Sequence, residues 1–133
     1  MHADSIADML TRIRNAMARN ADSVEVPYTK INEQVAKVLV ENEFLKSVKP
    51  YKVKDKSFKG LNIELKYSES EEPAIKSINR ISKSSLRKYI GYRSLKPVMG
   101  NLGIEVISTP RGVMSTKEAK KKKLGGELIC RVY

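Results

Sequence analysis

Ile6, Leu10, Ile13 and Met17 recur at spacings of three and four, with Met9 and Ala16 alongside them. That period gathers the apolar side chains on one side of a helix, so an amphipathic helix is predicted over 5–19. Asp4 or Ser5 supplies an acceptor for the orphan amides of its first turn. Thr11, Arg12, Asn15 and Arg19 fall on the outer face. A second helix is predicted over 28–42, with Ile31, Val35, Val38 and Leu39 facing inward. Between the two helices lies a short strand at 23–26, stopped by Pro27.

The period then changes from helical to alternating. A strand is predicted over 44–53, with Pro50 suggesting an edge position. Another follows over 59–67, where Leu61, Ile63, Leu65 and Tyr67 alternate with polar residues. The polar, acidic run Ser68-Glu69-Ser70-Glu71-Glu72-Pro73 reads as a domain boundary. Beyond it come predicted strands at 75–81, 86–90, 103–109 and 127–133, a single helical turn within 97–102 and one short helix at 116–123. Ser115 with Glu118 has the capping-box spacing, and Gly125-Gly126 is the expected stop. The fold class is therefore mixed α/β (α+β) in two small domains. Residues 1–67 form an α-β-α-β-β domain, and residues 73–133 form a mostly β domain with one short helix.

Charge changes this picture because it is unevenly placed. The chain of 133 residues carries 26 Lys and Arg against 15 Asp and Glu, a net charge of +11. Residues 1–45 have a net charge of −2, whereas residues 46–133 reach +13. Between Pro73 and Ile104 there are seven basic residues and no acid. A cationic surface of this size seeks a polyanion, through phosphate neutralisation and counterion release. Six lysines at 46, 49, 52, 54, 56 and 59 form a separate basic set around a hairpin, and they read as a solvated edge protected against strand pairing.

Other chemistries find little support. The lone histidine, His2, lies at a terminus, whereas a catalytic imidazole needs a fixed orientation. No phosphate-binding glycine loop is present, and Gly100-Asn101-Leu102-Gly103 is only a turn. The one cysteine, Cys130, excludes an internal disulfide and a cysteine zinc cage, and it reads as a buried inert thiol. No apolar stretch approaches the length of a membrane span, and no signal-peptide core follows Met1. The expectation is an intracellular protein with no cofactor, no metal and no membrane partner. A DNA reader would need a recognition helix rich in Arg, Asn and Gln. The first helix comes nearest but lies in the acidic third, so DNA is not the expected partner. A metal-dependent nuclease would have to rest on Asp8 or Glu127.

Two constellations fit RNA. Ser108-Thr109-Pro110-Arg111-Gly112 leaves the end of an apolar strand with two hydroxyls, an arginine and a glycine free to take positive φ. It reads either as a compact set of hydrogen-bonding groups for a ligand or as an ordinary turn whose Ser and Thr bond locally. Arg87-Lys88-Tyr89 places a ring beside two cations, either as a stacking surface for an unpaired base or as a tyrosine packed on a sheet.

Long runs at both ends resemble one family. Ile6-Ala7-Asp8-Met9-Leu10-Thr11-Arg12-Ile13-Arg14-Asn15-Ala16 is similar to the N-terminal signature of the bacterial small-subunit ribosomal protein S-eight family. Leu102-Gly103-Ile104, Val113-Met114 and Gly125-Gly126-Glu127-Leu128-Ile129-Cys130 resemble its C-terminal signature, in the same order. The resemblance implies a non-enzymatic cytoplasmic protein of the ribosome that binds the 16S rRNA central domain and helps assemble the platform. It also implies contact with ribosomal proteins S-five and S-twelve, and in some bacteria repression of its own operon messenger RNA. By motif, the family's RNA-contacting residues fall on Ser108, Thr109, Arg111 and Gly112, its stacking tyrosine on Tyr89, and its glutamate on Glu127. Arg87 and Lys88 are expected to assist, with a secondary contact near Arg14 and Asn15. The chain departs from the family at Pro110, where serine is usual, at Ser115-Thr116 in place of Thr-Asp, and at Ser84-Ser85 in place of Pro-Gly.

Overall fold

The computed structural model describes residues 4–52, 54 and 59–133. His2, Val53 and Lys56 lie outside the described residues, as does the side chain of Lys59. The chain forms two compact units, Met1–Ile75 and Lys76–Tyr133.

The first unit runs α1 (Ser5–Ala18), β1 (Ser23–Pro27), α2 (Lys30–Glu41), β2 (Leu45–Lys52) and β3 (Lys59–Leu65). Strand β3 is central, in the order β1-β3-β2, and pairs antiparallel with both neighbours. The strands β1 and β2 therefore run parallel to each other on either side of it. The edge position of β2 explains why Pro50 is tolerated, since an edge amide can be lost without breaking a second ladder. Ile6, Met9, Leu10, Ile13 and Ala16 of α1 are buried, as are Val35, Ala36, Val38 and Leu39 of α2 and Leu61, Ile63 and Leu65 of β3. Apart from Ala36, these are residues the two periodicities selected, whereas Met17, Ile31 and Tyr67, also selected, are only half-buried.

Helix α2 starts two residues later than its apolar period suggests, because Thr29 accepts from the Asn32 amide at 3.1 Å and caps it. Helix α1 is capped by Asp4, whose Oδ1 accepts from Ile6 at 3.1 Å and Ala7 at 3.2 Å. The acidic run 68–73 folds back on the first unit. Tyr67 bridges Pro73, and the Ala74 amide donates to the Lys66 carbonyl at 2.8 Å.

The second unit contains β4 (Ile78–Arg80), β5 (Tyr89–Ile90), β6 (Ile104–Thr109), β7 (Gly112–Ser115), α3 (Thr116–Lys121) and β8 (Gly126–Val132). Single 3-10 turns occur at Tyr92–Ser94 and Met99–Asn101. The sheet order is β4-β8-β6-β7, and β5 also pairs with β8. Strands β4 and β5 are shorter than their apolar runs imply. Strand β7 falls where the sequence reads as a loop; Val113 and Met114 pair with Ser108 and Ile107 to close a hairpin. On one sheet face Ile107 and Met114 join Leu95 and Ala119 in a core, with Leu128 packed against it.

Two features of β8 decide which residues share a face. Its register with β6 shifts between Val106 and Ile107: Ile107 pairs with Leu128, but Val106 pairs with Cys130. Ile129 is thus the extra residue of a bulge. Its carbonyl accepts from the Ile81 amide at 2.9 Å and from Arg80 Nη1 at 2.6 Å. The second feature is close backbone approach at Gly125 and Gly126. A Cβ at Gly126 would meet the Ser108 carbonyl oxygen at 1.9 Å, and one at Gly125 the Ile90 oxygen at 2.5 Å.

These glycines are not the helix stop that their position suggested. Lys123, at φ 58°, ends α3, with the Leu124 amide donating to the Ala119 carbonyl at 2.9 Å. The same left-handed closure ends α1 at Asn20 and α2 at Glu43.

Candidate nucleic-acid interface

The charge separates by unit. Residues 76–133 contain 14 Lys and Arg against three acids, whereas residues 1–75 contain 12 of each sign. All three acids of the second unit are ion-paired within it: Glu105 with Arg131 at 2.8 Å, Glu118 with Lys122 at 3.3 Å and Glu127 with Arg87 at 3.2 Å. The cationic excess is therefore a property of one unit.

On that unit the register assembles a row. Glu127 pairs with Tyr89 on one side and with Ser108 on the other, and Ser108 pairs in turn with Val113. Register partners in an antiparallel sheet project to the same face. Tyr89, Glu127, Ser108 and Val113 thus stand side by side on the face opposite Ile107 and Leu128. Tyr89 is 70% exposed, which separates it from a tyrosine packed into a sheet. The hydroxyl of Ser108 makes no hydrogen bond with the described residues, and the residue is half-buried.

The turn beside this row is built differently from a loop of free donors. Pro110 and Arg111 are the two residues between Thr109 and Gly112, which pair with each other. Thr109 Oγ1 donates to the Gly112 carbonyl at 2.8 Å and accepts from the Arg111 amide at 3.1 Å. With its only proton committed, the hydroxyl keeps one acceptor position. Pro110 presets a negative φ at the first turn position, and Gly112 follows at φ +122°, a conformation costly for any side chain. Arg111 is exposed at the tip.

Arg87 and Lys88 are also exposed. Arg87 Nη1 reaches both oxygens of Glu127, at 3.3 and 3.2 Å, so its charge is partly countered and the carboxylate is oriented. Sequence reasoning missed Ser82, a fully buried hydroxyl bonded to the backbone of Lys88. A lone serine in a basic, serine-rich run gives no signal of burial. Arg14 and Asn15 are exposed on α1 of the first unit and are not part of this row. Lys46, Lys49, Lys52 and Lys54 are exposed on or next to the edge strand β2.

Little here supports catalysis. Asp8 pairs with Arg12 at 3.1 Å, one turn along α1, and Glu127 with Arg87. Among the described residues, no group of three or more His, Cys, Asp or Glu could hold a metal ion. Cys130 is buried, and desolvation pushes its thiol up to about 12, so the nucleophilic thiolate is not populated near neutrality. No helix among the described residues is long and apolar enough to cross a membrane.

Comparison with known proteins agrees along the whole described chain. The family model described as ribosomal protein S8 matches residues 4–133. The chain is similar to small ribosomal subunit protein uS8 of Christiangramia forsetii, 45% identical over 135 residues and covering 100% of both chains. It is also similar to the proteins of that name from Flavobacterium johnsoniae, at 43% identity over 135 residues, and Solibacter usitatus, at 39% over 133. Both alignments cover 100% of each chain.

Proposed function

The chain belongs to the ribosomal protein S8 family and is a structural, non-catalytic component of the small ribosomal subunit; we propose that its second unit binds the central domain of 16S rRNA. The observation that carries this reading is the row Tyr89–Glu127–Ser108 on a cationic unit whose few acids are all paired. Lys and Arg supply affinity by displacing counterions from phosphates. Sequence and shape are read by the row: the exposed ring stacks on an unpaired base, the Ser108 hydroxyl donates or accepts at a base edge or sugar, and Glu127 accepts from a base amino group. Glu127 also disfavours a phosphate in that place, which separates a distorted helix from a plain duplex. Arg111, at the hairpin tip, and Lys88 contact the backbone, while Gly112 and Thr109 shape the turn that presents Arg111.

The first unit, with no net charge, serves protein neighbours, with S-five and S-twelve the expected ones, and adds a secondary RNA contact near Arg14 and Asn15. A messenger RNA of its own operon that folds like the ribosomal site would compete for the same row. Binding of transcribed 16S central domain, compared with a plain duplex over a range of salt, tests the proposal. Specific binding retained at moderate ionic strength is expected. Equal affinity for the two RNAs would refute it.

A further inference from the structure

Residues 83–89 are exposed without exception, and strand β5, which begins at Tyr89, is only two residues long. A ladder that short holds a ring weakly, so something else must fix the backbone before Tyr89. The base of the excursion is closed by Ser82, which is 0% exposed. Its Oγ accepts from the Lys88 amide at 2.8 Å and donates to the Lys88 carbonyl at 3.3 Å. The same Lys88 carbonyl accepts from the Leu128 amide at 2.9 Å, and the Ser82 amide donates to the Leu128 carbonyl at 3.2 Å. One buried hydroxyl thus fastens both peptide groups of Lys88, next to Leu128 of β8. Farther out, Lys83 and Leu86 exchange amide-to-carbonyl bonds at 3.0 Å each, which closes the outer turn without reaching Tyr89.

We propose that Ser82 is a positioning residue for RNA recognition: it touches no RNA, but holds Lys88 so that the Tyr89 ring stands beside Glu127 in the binding row. This rests on the RNA-binding reading above. No side chain in 83–87 anchors the excursion in the core, so removing the hydroxyl leaves the Lys88 amide without its partner and lets the segment before Tyr89 fray. The cations Lys83, Arg87 and Lys88 remain, so phosphate attraction is unchanged.

A double-mutant cycle on the full chain tests this, with transcribed 16S central domain and a plain RNA duplex as probes and thermal melting as the check on folding. S82A should weaken central-domain binding about fivefold, the scale of one lost hydrogen bond, and leave duplex binding unchanged. In a Y89A background, S82A should cost less than about twofold, because the group it positions is gone. Equal losses in the two backgrounds, or no loss with S82A alone, would overturn the proposal. Should S82A fail to fold, S82C keeps the volume with a weaker bond and is read in the same cycle. If the unaltered chain does not distinguish the two RNAs, the RNA-binding reading itself falls; if it does and only the cycle is additive, the role of Ser82 alone is lost.

Discussion

Arg87 and Glu127, 40 residues apart, form an ion pair beside the row, with Arg87 Nη1 3.2 and 3.3 Å from the two carboxylate oxygens. The arginine side chain is 55% exposed and the glutamate 19%. An ion pair so placed adds little to stability, about 0–1 kcal/mol. Its larger effect is on charge: Glu127 withholds part of the Arg87 charge from phosphate.

E127Q should therefore release that charge. Affinity for plain duplex RNA is expected to rise, with the salt dependence steeper by about one counterion. Discrimination in favour of the 16S central domain should narrow. Salt titrations of both RNAs check this, and an unchanged slope on duplex would contradict the role given to the carboxylate.

The neighbouring hydroxyls Ser108 and Thr109 should separate cleanly. Thr109 closes the turn at Gly112, so T109A is expected to lower stability by about 1 kcal/mol with a small change in binding. Ser108 has no such duty, so S108A should leave the melting temperature alone and weaken central-domain binding by about 1–2 kcal/mol. Melting curves and filter binding on the two variants distinguish the roles; reversed results would mean that the turn hydroxyl, not the strand hydroxyl, meets RNA.

Gly126 permits the approach of β8 to β6. G126A directs a Cβ at the Ser108 carbonyl oxygen, a backbone atom that cannot step aside. The variant should lose about 1–3 kcal/mol or more and lose RNA discrimination with it, since the displaced strand carries Glu127. A variant with unaltered melting temperature would show that the strands separate without cost.

In the first unit, Ser47 Oγ donates to Glu64 Oε1 at 2.7 Å. That bond outweighs burial and, with Lys46 and Lys49 nearby, holds the Glu64 carboxyl below its ordinary range. Because the folded group titrates below the unfolded one, its contribution to stability is complete above the unfolded value. It disappears as pH falls through the folded one. S47A should raise the Glu64 midpoint, measured by NMR titration, and flatten the acid limb of the stability profile. A midpoint that stays put would assign the shift to the lysines instead.

The long amphipathic helices and the alternation of Leu61, Ile63 and Leu65 were legible because burial imposes a period over many residues. Helix ends were less so, and for a specific reason. All three close on a left-handed residue that is not glycine, at Asn20, Glu43 and Lys123, so the usual stop signal is missing. Gly125-Gly126 looked like such a signal but answers to strand packing. Strand β7 was hidden because Gly112 reads as the flexible part of a loop, whereas its positive φ is what closes the hairpin. Tyr89, Glu127 and Ser108 were each visible as candidates. Their order across Tyr89, Glu127 and Ser108 was not, since register between distant strands depends on pairing that no local pattern specifies. Nor could the sequence show that the Thr109 hydroxyl is spent within its own turn.

The single extra residue at Ile129 lets one strand be read in two frames. On its near side Glu127 shares a face with Ser108; on its far side Cys130 and Val132 share that same face with Val106 and Ile104. Strict alternation would put Cys130 and Val132 on the other side. Deleting Ile129 would let β6 and β8 pair without a bulge, neither half changing face. The loss falls on the other edge of β8, where Arg80 pairs with Cys130, the Ile81 amide donates to the Ile129 carbonyl and the Ser82 amide to the Leu128 carbonyl. The segment leading toward Tyr89 would be pulled one residue out of step. The length of this strand, and not only its composition, is therefore under physical constraint.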